Sequence, residues 1–235
     1  MLCTMIEQAP ILIVGCPRSG TSMIGGAINI CGAFRGELVG RGMFENNRIL
    51  QEIVEPYFID MGADRNGQYP LPIIDSLSIP VDWRKRVEQV MLREGYKSGE
   101  WMYKDSRSSL IWPVWNYAFP NAKWIIVRRK TGDIIQSCLK TGYMSAFDSE
   151  TNRKNVGAET ERDGWLWWIH QYEKRFGEMI EAGLNCKVVW PERMVDGDYK
   201  QIRETLEWVG LTWSKEVINW IDPLLWNSPQ KERKI

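Results

Sequence analysis

ILIVGCPRSGTS, residues 11–22, is the stretch from which the fold can be read. Ile11, Leu12, Ile13 and Val14 form a continuous apolar run of the kind buried on both faces of a parallel sheet. Gly15 to Gly20 reads as a turn, and a helix is predicted from Thr21 to Ile30. A strand, a glycine-bounded turn and a helix start, in that order, make an anion cradle. The N–H groups of the turn add to the positive end of the helix, and Ser19, Thr21 and Ser22 supply hydroxyls. Gly15 and Gly20 keep the G-x-x-x-x-G spacing of a nucleotide phosphate loop, but Thr21 stands where its lysine should follow. The cation is Arg18 instead, whose fork can reach a phosphate and a bridging oxygen together. The competing reading is an ordinary strand-to-helix turn with a solvated Arg18.

Outward from this loop, apolar strands alternate with helices. Residues 43–61 carry Ile49, Ile53 and Val54 at helical spacing, with Pro56 expected to kink or restart the helix. Residues 62–80 are rich in Gly, Pro, Asp and Asn and read as a long connection or small cap. Further elements are expected as a helix over Trp83–Glu94, a strand over Trp101–Tyr103 and a helix over Ser108–Phe119 interrupted by Pro113. A core strand over Lys123–Val127 and a helix from about Gly132 to Thr141 come next. Residues 143–158 are polar and aperiodic, the pattern of a mobile loop. A long helix over Glu159–Glu181, a strand over Cys186–Trp190 and helices over Tyr199–Val209 and Lys215–Ile221 complete the chain. This alternation predicts one α/β domain over 1–235, a three-layer P-loop-like fold with a central parallel sheet flanked by helices. Stretches 62–80 and 143–158 are expected to form its cap or acceptor loops.

The 235 residues hold 30 Lys+Arg against 30 Asp+Glu, 13 Trp, five Cys and one His. Zero net charge argues against gripping nucleic acid or an anionic membrane through a global field. One histidine excludes a multi-histidine metal centre, and the five scattered cysteines hold no C-x-x-C pair, so neither a metal nor a disulfide framework is expected. The N-terminal MLCTMIEQAP has no signal-peptide pattern and no apolar run is long enough to span a bilayer. A cytoplasmic protein is expected; its oligomeric state is not legible.

PRSGTS after a buried strand resembles the 5′-phosphosulfate loop of the sulfotransferases, which use 3′-phosphoadenosine 5′-phosphosulfate (PAPS) as donor and release 3′-phosphoadenosine 5′-phosphate (PAP). The family carries a second motif at another strand end, an Arg followed eight residues later by a Ser, both on the 3′-phosphate; VRRKTGDIIQS supplies Arg129 and Ser137. Lys104-Asp105-Ser106-Arg107 resembles the family's K-D-P-R segment, and Phe119-Pro120-Asn121-Ala122-Lys123 its F-P-[DN]-A-K entry to the 3′-phosphate strand. VVWPERMV (188–195) and LEWVGL (206–211) resemble its Y-E-D-L and F-L-G-L segments. The ordered set covers most of residues 11–211.

The resemblance implies that Arg18, Ser19, Gly20, Thr21 and Ser22 hold the 5′-phosphosulfate, that Arg129 and Ser137 hold the 3′-phosphate, and that a sulfuryl group passes to a hydroxyl or amine of a small-molecule or glycan acceptor. Many members take the acceptor proton with a His in a K-T-H segment; here that place reads Lys104-Asp105-Ser106. Other branches use a Glu beyond the helix after the phosphate loop, where Glu45 lies. Glu45 is therefore the candidate base, with Asp105 second and Lys104 assisting at the sulfuryl oxygens. On its own, Glu45 reads equally as a carboxylate complementing a helix dipole. The lone His170, in WLWWIHQYEKRF, reads as a packed or surface histidine, and Trp165, Trp167, Trp168 and Tyr172 as helix packing. The basic R-K-G segment that closes over the 3′-phosphate in the family is missing: either Lys231 or Arg233 substitutes, or the 143–158 stretch with Arg153 and Lys154 does, or donor binding is weaker. A P-loop small-molecule kinase, disfavoured by Thr21, and a catalytically silent nucleotide-binding protein are the alternatives.

Overall fold

A computed structural model describes residues 6–38, 43–221 and 226. Cys3, Lys231 and Arg233 lie outside the described residues. The apolar run becomes strand β1 (Ile11–Gly15), every residue of it buried. Strands β2 (Met102–Lys104), β3 (Lys123–Val127) and β4 (Cys186–Val189) join it in a wholly parallel sheet ordered β2-β1-β3-β4. Chain order reverses at β1, with β2 on one side and β3 on the other. The carboxyl ends of these three strands therefore meet where a doubly wound sheet places its ligand.

Alternation along the strands divides the core in two. Leu12, Val14, Tyr103, Trp124 and Ile126 face one side, and Ile11, Ile13, Met102, Ile125 and Val127 the other. Helices cover both, giving three layers. In chain order the helices are α1 (Thr21–Ile30), α2 (Asn47–Ile49), α3 (Glu55–Asp60), α4 (Trp83–Arg93), α5 (Trp112–Ala118), α6 (Thr131–Leu139), α7 (Glu150–Asn155), α8 (Glu161–Glu181), α9 (Pro191–Val195), α10 (Lys200–Val209) and α11 (Glu216–Trp220). Residues of α2 to α6 and α8 pack on the first face, and residues of α1 and α9 to α11 on the second. The fold is the expected three-layer P-loop-like α/β architecture.

Three local expectations change. The break expected at Pro56 lies before it: α2 passes through a π-helical segment, Leu50–Val54, into α3, which carries Pro56 in its first turn. Pro56 offers no N–H to the Glu52 carbonyl four residues back, and that carbonyl accepts from Arg86 Nη2 at 2.6 Å instead. Pro113 does not interrupt a helix but lies in the first turn of α5, preceded by a 3₁₀ turn over Ser106–Ser109.

The third change is at residues 143–158, read as a mobile loop. A 3₁₀ turn (Ala146–Asp148) and α7 order this stretch, because Phe147 is fully buried edge-on against Trp165 at 4.9 Å. Ser149 caps α7 by accepting from Asn152 N–H at 3.3 Å. One buried aromatic carries no period, so the pattern hid it. Trp165, Trp168 and Tyr172 pack in the core as expected, while His170 is exposed.

Helix α11 docks on α1 through Trp220, whose Nε1 donates to the Met23 carbonyl at 3.1 Å and whose ring meets Phe44 edge-on at 5.3 Å. A Cβ on Gly26 would stand 2.2 Å from that indole. Gly26→Ala is expected to displace Trp220 and cost about 1–3 kcal/mol, read as a lower urea midpoint; an unchanged midpoint would show that α11 repacks without cost.

Candidate active site

β1 ends at Gly15 because nothing larger fits: a Cβ there would stand 2.5 Å from the Val127 carbonyl oxygen and 2.7 Å from Ser19 Oγ. The chain then turns tightly, with Ser19 N–H donating to the Cys16 carbonyl at 3.0 Å. Arg18 (φ 75°) and Gly20 (φ 97°) both adopt left-handed backbone, a conformation strained for Arg18 and ordinary for glycine. Gly20 caps α1 without any side-chain hydrogen bond; the Met23 N–H turns back to the Gly20 carbonyl at 2.9 Å, while the N–H groups of Thr21 and Ser22 have no intrahelical acceptor and face out of the helix end. Two further donors point to an anion. Ser19 Oγ and Arg18 Nη2 are buried with no hydrogen-bond partner among the described residues. A buried donor left unmade costs about 1–3 kcal/mol, which a bound phosphate or sulfate oxygen would relieve.

The second arm comes from β3. Arg128 and Arg129 follow it and part company: Arg128 Nη2 pairs with Glu173 of α8 at 2.6 Å, whereas Arg129 turns in, its Nη1 donating to the Arg18 carbonyl at 3.2 Å. Burial pulls the Arg129 guanidinium below its usual pKa, with Asp133 and Glu192 opposing and Arg18 adding to the fall. An anion beside it would offset that loss. Ser137, on α6, accepts from Arg18 Nε at 2.9 Å. Arg18, Arg129 and Ser137, drawn from a loop, a strand end and a helix, are thus one cluster above the open end of α1.

Two residues that motif reasoning missed join the cluster. Arg18 Nη1 donates to the Tyr143 hydroxyl at 2.9 Å, and the Arg129 guanidinium carbon lies 4.2 Å from the Trp226 ring centroid. Trp226 ring atoms also lie 2.7 and 2.9 Å from where a Cβ on Gly20 would stand. The tail was read for basic residues only, and its tryptophan was the available signal. Of the proposed substitutes for the missing basic segment, Arg153 spends Nη1 on the Phe147 and Asp148 carbonyls, at 2.7 and 2.9 Å, and Lys154 pairs with Glu150 at 2.6 Å.

The two candidate carboxylates sit in different surroundings. Asp105 is buried and committed: Oδ2 accepts from Tyr103 OH at 2.9 Å, and Oδ1 accepts from Arg107 Nε at 2.8 Å and Arg107 N–H at 3.0 Å. Arg107 Nη1 extends this network to the Arg65 carbonyl at 2.8 Å. Burial alone would lower the Arg107 pKa, yet the adjacent Asp105, with Tyr103, carries it well above the usual value. Glu45 precedes the helix cap Asn46, whose Oδ1 takes the Ile49 N–H at 2.9 Å, so the helix end is served without Glu45. Its Oε1 pairs with Lys104, a side chain 4 % exposed, while Glu45 itself keeps 15 % exposure. Ser22 Oγ donates to the Met43 carbonyl at 3.2 Å, which holds the Glu45 segment against the start of α1.

The thiols flanking the cluster are inert. Burial raises Cys16 well above the ordinary thiol range and pushes Cys138 up to about 12. Among the described residues no group of His, Cys, Asp and Glu is arranged to hold a metal ion. A groove of about 670 Å³ lined by Asp198, Tyr199, Arg203 and Trp213 shares no residue with the cluster.

No protein-family model matches the sequence, and no curated protein matches it. Similarity appears in solved structures. Sulfotransferase STF9 from Mycobacterium avium superposes with a TM-score of 0.56 at 14 % identity, over 95 % of this chain and 69 % of that one. The sulfotransferase domain of the Synechococcus PCC 7002 olefin synthase gives 0.56 at 13 %, over 93 % and 79 %. The sulfotransferase domain from the curacin biosynthetic pathway gives 0.55 at 14 %, over 92 % and 79 %. The architecture is thus P-loop-like α/β, and within that class it is the sulfotransferase fold.

Asp105→Ala removes the anion from a buried pair and is expected to cost about 3–5 kcal/mol, measured by urea unfolding. A variant as stable as the parent would return Asp105 to the candidates for proton transfer.

Proposed function

We propose that this chain transfers a sulfuryl group from PAPS to a hydroxyl or amine of a small-molecule or glycan acceptor. The observation that carries the reading is the convergence of Arg18, Arg129 and Ser137 over the open end of α1, with Arg18 Nη2 and Ser19 Oγ buried and unpartnered. Two phosphate-seeking cations at neighbouring strand ends suit a nucleotide bearing phosphates at both 3′ and 5′ positions.

In this reading the donor supplies a sulfur atom already bonded to a good leaving oxygen, the bridging oxygen of the phosphosulfate. Arg18 and the N–H groups and hydroxyls of Ser19, Gly20, Thr21 and Ser22 hold the 5′-phosphate and take up the charge that gathers on that oxygen as the S–O bond breaks. Arg129 and Ser137 hold the 3′-phosphate and fix the nucleotide. Glu45 accepts the proton of the acceptor as its oxygen or nitrogen bonds to sulfur. Lys104, paired with Glu45, keeps that carboxylate in place and lies where it can face the sulfuryl oxygens. We assign residues 62–80 and 143–158 to the acceptor side of one domain. We place the reaction in the cytoplasm, where Cys16, Cys31, Cys138 and Cys186 stay reduced.

Calorimetry with PAP tests the donor half: the chain is expected to bind PAP, and Arg129→Ala to weaken it. A folded sample that does not bind PAP rejects the reading. For the proton transfer, Glu45→Gln is expected to lower turnover with PAPS and an acceptor panel by about 10²–10⁴-fold while PAP affinity stays within about twofold; undiminished turnover removes Glu45 from the role.

A further inference from the structure

We propose that Tyr143, braced by Gln68, is the positioning residue that aims the Arg18 guanidinium at the 5′-phosphate. This rests on the donor reading above and adds to it a residue that no motif supplies. Arg18 has three guanidinium nitrogens and the fold fixes two. Nε donates to Ser137 Oγ and Nη1 to the Tyr143 hydroxyl, both at 2.9 Å. The third, Nη2, is buried without a partner. Because the group is planar, two fixed nitrogens set the direction of the third. The Ser137 oxygen accepts from Nε while its own proton remains available to a phosphate, so both hydroxyls can keep their hold when the nucleotide is bound.

Tyr143 needs support, since it is 56 % exposed and its segment has no regular structure. Gln68 provides it. This side chain is buried; Nε2 donates to the Tyr143 carbonyl at 2.7 Å, and Oε1 accepts from Ser145 and Ala146 N–H, both at 3.1 Å. Gln68 is itself anchored. Asp64 Oδ1 accepts its N–H at 3.0 Å, and the neighbouring Gly67 carbonyl accepts from Trp168 Nε1 at 2.9 Å and Tyr172 OH at 3.0 Å, both in α8. Hydrogen bonds joined by short covalent links, Gly67 to Gln68 and the body of Tyr143 itself, therefore connect the buried face of α8 through residues 64–68 to Tyr143 and Arg18. A surface tyrosine braced by a buried glutamine whose side chain makes three hydrogen bonds is a costly arrangement for mere surface decoration.

The test uses two nucleotides that differ in which phosphate they carry. Tyr143→Phe keeps the ring and loses the hydroxyl. It is expected to weaken PAP binding about tenfold and to leave adenosine 3′-monophosphate, which lacks the 5′-phosphate, within about twofold, both measured by calorimetry or competition. Gln68→Ala is expected to follow the same selective pattern, and the double variant to be no weaker than the weaker single one, as for residues acting in series. Equal loss for both nucleotides, no loss for either, or additive losses in the double variant would overturn the proposal. If Gln68→Ala does not fold, the exposed Tyr143→Phe decides alone through the contrast between nucleotides. Failure of the parent chain to bind PAP removes the donor reading and this inference with it; binding by the parent with an unaltered Tyr143→Phe removes this inference only.

Discussion

A carbonyl oxygen standing 2.5 Å from where a Cβ of Gly15 would be is the contact on which the site depends. It belongs to Val127, the residue paired with Gly15 across β1 and β3. With no side chain at Gly15, the phosphate loop can fold back over the end of β3, bringing the Arg18 carbonyl within reach of Arg129. Any larger residue would push the loop off the neighbouring strand and part the two arginines. The parallel register does the rest, since it ends β1, β2 and β3 at one edge and so places Arg18, Lys104 and Arg129 there together.

The balance of charge follows from that crowding. A chain with zero net charge concentrates Arg18 and Arg129 at one edge, and their mutual effect and burial act against the charged form of Arg129. Asp133, at 3.9 Å and half exposed, and Glu192 oppose this, and the guanidinium lies over the Trp226 ring. Arg128, one residue away, is drained off by Glu173 on the opposite layer. The outcome is a local positive potential aimed by neighbouring residues, which suits a small polyanion and not a long one.

Legibility in the sequence tracked the range of the interaction. Ile11–Val14 and Lys123–Val127 read correctly because a buried parallel strand is locally apolar throughout, while the Arg129 to Ser137 spacing is set by one strand end and one helix. Boundaries of α3 and α5 misread because each proline was judged by its intrinsic effect, whereas Arg86 takes the carbonyl freed by Pro56 and Pro113 falls in a first turn where its missing N–H costs nothing. Residues 143–158 misread because Phe147 is ordered by Trp165, eighteen positions on and in a different element. Gln68 and Tyr143 were beyond reading for the same reason: they lie 75 residues apart in stretches with no period, and Tyr143 reaches Arg18 across 125.

The choice between Glu45 and Asp105 sharpens this point, since the sequence offers both as candidate carboxylates, sixty positions apart. What separates them is saturation of hydrogen-bond capacity. Asp105 accepts from a phenol, a guanidinium N–H and a backbone N–H, so both of its oxygens are held by Tyr103 and Arg107. Glu45 has one cation on one oxygen and no hydrogen bond to the other among the described residues, so that second oxygen stays open. A general base must remain partly unsatisfied in the fold to be satisfied in the reaction. The same economy applies to Arg18, bound at two nitrogens and buried but unpartnered at the third. Where a fold leaves a buried donor open beside an underused carboxylate, at the carboxyl edge of a parallel sheet, the unmade bonds themselves outline the shape and charge of what is to come between them.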